Sequence, residues 1–284
     1  MPIDLHSHTE HSDGTLTPTA LARLARDVGL SLLALTDHDT TAGLEEARAE
    51  GLRVGVELLA GCEISTRIES GNVHVLGLGI DPGHGPFQRF LGGVREAREE
   101  RNERMFKRLA SLGVPVTREE VAVHVRGRIL ARPHFARAMV ARGYVPDLRA
   151  AFAQYLKDGG PGYVEAASPH PSAAVRAIRD AGGVAVLAHP GQLKLPGRDG
   201  YERFLRELKS AGLVGVEVWH PSHDAEARAL FADLARTLDL LPSGGSDFHG
   251  DTKPHIRLGV GDGSISIGPE VWERLALRRG VRTR

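Results

Sequence analysis

Nine side chains able to ligate a metal recur in short clusters along almost the whole chain: His6, His8, Asp13, His38, Glu63, His74, His189, Asp247 and His249. Imidazole nitrogen combined with carboxylate oxygen suits a borderline or hard divalent cation. His6 and His8 form a His-x-His pair, and Asp247 and His249 repeat the two-residue spacing. In an extended chain residues two apart point the same way, so each pair can turn toward one ion. Glu63, after Gly61 and Cys62, offers a carboxylate that can bridge two cations. Taken singly, Asp13 and His38 read as turn or cap residues, and His74 as a buried neutral histidine. Their joint placement on successive apolar runs makes a shared metal site the better reading, and the chemistry is metal-dependent hydrolysis.

The elements that must position these residues alternate in type. Apolar, β-like runs at 3–6, 32–36, 56–60, 73–80, 184–188, 214–219 and 240–241 are separated by helical segments. In the first of these, Thr17 is a plausible N-cap before Pro18, Leu21, Leu24, Ala25 and Val28 mark an apolar face, and Gly29 stops the helix. That pattern predicts an α/β fold of parallel βα units with the ligands at the strand ends of a barrel rim. Residues 87–160 read differently, with no convincing buried strand and with helical segments around 118–124, 132–142 and 149–156. The expected organisation is a barrel from 1–86 and 161–284, with 87–160 as an all-helical insertion covering the active site. Gly159-Gly160-Pro161-Gly162 is the candidate return hinge.

Composition narrows the field. At 284 residues and 41% hydrophobic content the chain can build one large domain with an insertion. The single cysteine, Cys62, excludes a disulfide framework and a Cys-based zinc site, and it reads as a packing residue. No apolar segment approaches the roughly 20 residues needed to span a bilayer, and the chain opens without a basic n-region or cleavage site. A cytoplasmic protein with no membrane partner is the simplest account. Formal charge is zero, so no global field draws the protein to nucleic acid, and four Tyr, two Trp and eight Phe supply no obvious stacking motif. Neither a Ser-His-Asp order nor a Gly-x-Ser-x-Gly elbow competes for the nucleophile role.

The segments Asp4-Leu-His-Ser-His8 with Ser12-Asp-Gly14, Leu35-Thr-Asp-His-Asp39, Gly61-Cys-Glu63, His74, Ala188-His-Pro-Gly191 and Ser246-Asp-Phe-His249 resemble, in order, the motifs of the PHP (polymerase and histidinol phosphatase) family. The resemblance covers nearly the full chain. It implies a distorted (βα) barrel of about seven units with three divalent metal ions at the C-terminal rim, manganese preferred, with iron and zinc compatible. It places His6, His8, Glu63 and Asp247 around one ion, Asp13, His38 and His249 around a second, and Glu63, His74 and His189 around a third. Asp13 stands where some members have histidine.

The insertion and the run Arg128-Ile-Leu-Ala-Arg132-Pro-His134 look most like the stand-alone nucleotide phosphoesterases of that family. Those enzymes remove the 3′-phosphate of nucleoside 3′,5′-bisphosphates and trim short oligonucleotides from the 5′ end. The implied reaction is attack on phosphorus by metal-activated hydroxide, with Asp13 and His249 essential to it and Arg132, His134 and Arg128 binding substrate phosphate at a helix start. Arg132 as a surface ion-pair partner and His134 as a cap are the competing structural roles. The rival functions are histidinol-phosphate hydrolysis and a non-catalytic metal-binding regulatory domain. An amidohydrolase with a modified lysine fits poorly, because none of the five lysines stands at a convincing strand end. His220 is open between the site mouth and the fold, His223 reads as structural, and nothing in the sequence settles the oligomeric state or implies a protein partner.

Overall fold

In the computed structural model, which describes residues 1–125 and 127–278, the chain runs β1 (Ile3–Asp4), α1 (Pro18–Asp27), β2 (Leu32–Leu35), α2 (Leu44–Val54), β3 (Glu57–Ile68), β4 (Gly71–Leu78) and α3 (Gly85–Ser111). It continues with α4 (Arg118–Ala122), α5 (Arg132–Ala141), α6 (Leu148–Ala151), α7 (Pro171–Asp180), β5 (Val184–Leu187), α8 (Gly197–Ala211), β6 (Gly215–Trp219), α9 (Ala225–Thr237), β7 (Leu241–Gly244) and α10 (Pro269–Leu277). Two compact units result, Met1–Gly92 with Pro169–Arg284, and Gly93–Ser168.

The first unit holds one seven-stranded sheet in sequential order, β1 to β7. Past β1 and β7 the chain continues to pair: Ser7 bridges Phe248, the Asp247 amide donates to the His6 carbonyl at 3.0 Å, and the His8 amide to that of Phe248 at 2.9 Å. The sheet is thus a nearly closed barrel. Side chains alternate between its two faces, as the period-two geometry of a strand requires. Leu32, Ala34, Val184 and Val186 join Ile3, Leu5 and Leu76 in one cluster, into which α10 sends Val271 and Leu275. Ala185, Leu187, Val216 and Val218 belong to another cluster, under Ile178 of α7, Leu205 of α8 and Phe231 of α9. Thr17 caps α1 by accepting from the Ala20 amide, with Pro18 following, as its sequence predicts.

One pair of strands departs from the parallel scheme. β3 and β4 form an antiparallel hairpin from Gly61↔Leu78 to Ile68↔Gly71, and β4 is antiparallel to β5 as well. The turn at Glu69-Ser70 is too short for a crossover helix, and only antiparallel strands can be joined that way. β3 therefore runs on for twelve residues, and Glu63 lies in its middle rather than beyond its end.

The second unit is helical among its described residues. The end of α3 with α4, α5 and α6 surrounds a core of Met105, Leu109, Val121, Phe135, Met139 and Leu156. Thr117 and Glu120 close a capping box at the start of α4.

Candidate metal centre

Strand parity explains why Glu63 and His74 face the same space. Glu63 pairs with Leu76 and Ser65 with His74, so Glu63, His74 and the inward-packed Leu76 share one face, while Cys62 and Ile64 pack outward. The Cys62 thiol is raised well above its usual range, by burial first and then by Asp39 and Asp37, which leaves it inert. The chain passes His6 again at Gly245, where a Cβ would stand 2.4 Å from the Cβ of His6; only glycine lets Ser246 and Asp247 approach so closely.

Five imidazoles converge on the one buried Glu63 carboxylate. Its Oε2 lies 3.2 Å from His6 Nε2, 3.1 Å from His8 Nε2 and 3.2 Å from His38 Nδ1; its Oε1 lies 2.9 Å from both His74 Nδ1 and His189 Nε2. Asp247 Oδ1 is 3.5 Å from His6 Nε2 and 3.4 Å from His8 Nε2, and Asp13 Oδ1 is 3.2 Å from His249 Nε2. Every one of the nine sequence candidates is in this cluster. Among the described residues, four sets lie close enough to hold an ion: His8, Asp13, His38 and His249; His6, Glu63 and His189; His38, Glu63 and His74; and His6, His220 and Asp247. His189 and Asp247 adopt positive φ, 27° and 53°, sparsely populated for side-chain-bearing residues and concentrated at functional sites.

The environment fits cations. His6 Nε2, His8 Nε2, His38 Nδ1 and His74 Nδ1 are all buried without a hydrogen-bond partner despite their proximity to Glu63. Such orphaned nitrogens are costly unless something else satisfies them. Burial opposes ionisation of Glu63, yet His74 and His6, with a hydrogen bond from His189, hold it well below the usual carboxylate range, and Asp247 is held down likewise by His6, Lys253 and His249. Burial, aided by His8 and His74, pushes His38 down to about 3 and keeps it neutral, as a ligand must be.

The partners of the other ring nitrogen sort ligands from supports. Glu217 Oε1 lies 3.0 Å from His6 Nδ1, and the Asp247 carbonyl 2.8 Å from His249 Nδ1. Both oxygens only accept, so Nδ1 carries a proton in both rings and Nε2 is the nitrogen left for a cation. His220 is the reverse. Its Nδ1 accepts from the Ser222 amide at 3.0 Å, so its Nε2 carries the proton and donates to Asp247 Oδ2 at 3.3 Å. His220 thus steadies Asp247, and Lys253 Nζ, 2.5 Å from the same oxygen, adds a charge. His223 is structural as expected, with Nδ1 donating to the Val218 carbonyl and Nε2 accepting from the Gly191 amide, both at 3.0 Å. Asp37 accepts from the Thr9 amide at 2.7 Å, the Thr9 hydroxyl at 2.5 Å and the Ser12 hydroxyl at 2.6 Å, shaping the loop between His8 and Asp13.

Glu217 and Lys253 went unrecognised in the sequence, and His220, left open there, stands beside Asp247. The signal for Glu217 was present: an acid at the centre of Gly-Val-Glu-Val-Trp, between two valines that pack outward, must point inward.

In the helical unit, Arg132 opens α5 with Pro133 behind it. Its Nη1 pairs with Asp158 and donates to the Leu156 carbonyl at 3.2 Å, and its guanidinium lies 5.2 Å from the centre of the Tyr163 ring. His134 Nδ1 accepts from the Ala131 amide at 3.0 Å, capping its own helix. Arg128 is exposed in the bend before α5.

The model of the PHP domain matches residues 4–131. The chain is 38% identical to a 3′,5′-nucleoside bisphosphate phosphatase of Chromobacterium violaceum over 277 residues, covering 97% of each. It is 35% identical to a 5′-3′ exoribonuclease of Haemophilus influenzae, over 95% of this chain and 98% of that one. A solved structure from Bifidobacterium adolescentis, assigned as a metal-dependent phosphoesterase, superposes with a TM-score of 0.81 at 34% identity over 98% of both chains.

Proposed function

For a chain that belongs to the PHP family, we propose hydrolysis of the 3′-phosphate of nucleoside 3′,5′-bisphosphates, with 5′-3′ trimming of short oligonucleotides, by a metal-dependent phosphoesterase. The observation that carries this reading is the ring of buried, hydrogen-bond-free imidazole nitrogens around Glu63. We assign it three ions, manganese preferred, with His6, His8, Glu63 and Asp247, then Asp13, His38 and His249, then Glu63, His74 and His189 as ligand sets. Bound there, such ions supply an acidified water and a concentration of positive charge for phosphoryl oxygens.

The chain's own residues do the rest. Glu63 and Asp247, ionised at neutral pH, hold the imidazoles of separate strands at one point. His220 and Lys253 fix the Asp247 carboxylate, and Asp37 fixes the loop that presents Asp13. The substrate's phosphates are assigned to Arg132, His134 and Arg128. A guanidinium cluster supports this: Arg101 is pushed down to about 10 by burial and by Arg98 and Arg132, and its Nε is buried without a hydrogen-bond partner. Like charges gathered in one place favour an anion among them. No helix among the described residues is long and apolar enough to cross a membrane.

A substrate panel under Mn²⁺ tests the assignment. Adenosine 3′,5′-bisphosphate should turn over at least about tenfold faster, by kcat/KM, than histidinol phosphate or a cyclic phosphodiester, a margin of about 1.4 kcal/mol in transition-state binding. Preference for either of the others overturns the nucleotide assignment.

A further inference from the structure

We infer that Glu217 sets the tautomer of His6, and so decides whether its Nε2 can ligate. The inference rests on reading the Glu63 cluster as a metal centre. Glu217 is wholly buried and belongs to none of the candidate ligand sets. Both its oxygens are committed: Oε1 lies 3.0 Å from His6 Nδ1, and Oε2 accepts from the His189 amide at 2.6 Å. One carboxylate therefore holds a ring from the β1 end and the backbone of a residue from the β5 end, both of which reach Glu63. The ladder between β6 and β7 shifts register between Glu217 and Trp219, the kind of irregularity that re-aims a side chain.

The chemistry turns on acceptors. A carboxylate offers only acceptors, so His6 Nδ1 must carry a proton, and Nε2, which faces Glu63 and Asp247, is the nitrogen whose pair can be given to a cation. Glu217→Gln keeps the size and shape but replaces one acceptor by a donor. The His189 amide is a fixed donor and claims the Gln carbonyl, which leaves the NH2 group facing His6 Nδ1. His6 must then accept there and carry its proton on Nε2, where it cannot bind a cation. The flipped amide sets two donors against each other at His189. Glu217→Asp is a cruder fit, one methylene short, yet keeps two acceptors.

The order of the two variants separates tautomer control from packing. Mn²⁺ binding to metal-stripped wild type, E217Q and E217D is followed by the electron paramagnetic resonance of free Mn²⁺, beside the melting temperature of each apo protein. E217Q is expected to weaken the tightest Mn²⁺ site about 10- to 100-fold, the usual cost of losing a ligand's hydrogen-bond partner. E217D should lose less, and both apo proteins should melt cooperatively. Wild-type affinity in E217Q overturns the inference and leaves the metal centre intact. A larger loss in E217D than in E217Q, or collapse of the E217Q apo melt, makes Glu217 a packing residue and also overturns it. Failure of wild type to bind Mn²⁺ removes the metal reading itself.

Discussion

His223 couples pH to the loop that carries His189. The ring is 2% exposed, lies 5.0 Å from Phe231, and can make its bonds to Val218 and Gly191 only when neutral, because Nε2 must accept. Burial, with His220 and His189 nearby, pushes its pKa down to about 4. An unfolded histidine titrates near 6.5, so the unfolded chain binds the extra proton first. The contribution to stability is therefore complete above pH ~6.5 and is lost as pH falls toward 4, for a total of roughly 3 kcal/mol, of which roughly 2 kcal/mol is gone at pH 5. His223→Gln removes the titration while keeping an acceptor and a donor. The assay is urea denaturation of the metal-stripped wild type and variant at pH 7.5 and 5, since groups common to both cancel in the difference. Wild type should lose roughly 2 kcal/mol more than H223Q between the two conditions. Equal losses would show that His223 is not held neutral by the fold, and the coupling would fail.

Three further outcomes follow from named contacts. Gly191→Ala places a Cβ 2.6 Å from the His223 ring carbon Cδ2, so it should destabilise by about 1–3 kcal/mol and lower metal content, measured by denaturation and elemental analysis. Asp13→Ala and His249→Ala should each lose about one metal equivalent and at least about 100-fold in phosphatase turnover at saturating Mn²⁺; full activity in either would make the second ion dispensable. Asp37→Ala strips three hydrogen bonds from the Thr9 and Ser12 groups and should cost roughly 3 kcal/mol, read from the urea midpoint; an unchanged midpoint would mean the loop before Asp13 is shaped otherwise.

The convergence of the nine side chains was legible because several of them interrupt or close an apolar run, and the period-two and helical patterns around them are strong. The helical character of the second unit was legible from the same kind of pattern, in the segments around 118–124, 132–142 and 149–156. The hairpin was not. Glu57 to Ile68 mixes polar and apolar residues because only part of β3 is covered, so its apolar start reads as a short parallel strand and its second half as a loop. Supporting residues were hidden for a different reason. His220 differs from His249 in whether its Nδ1 meets a backbone amide or a backbone carbonyl, and Lys253 reaches Asp247 from a short helical turn, so neither distinction exists before the chain is folded. Glu217 lay between these extremes, readable from parity once β6 is known to bury both faces.

The Glu63-centred cluster is proposed as a metal centre that performs phosphoester hydrolysis. Its most direct test is removal and return of metal in wild type and Glu63→Gln, with adenosine 3′,5′-bisphosphate as substrate. Chelated wild type is expected to be inactive, Mn²⁺ to restore its turnover in step with bound metal, and E63Q to recover neither. Full turnover in the chelated wild type, or wild-type recovery in E63Q, would contradict the proposal.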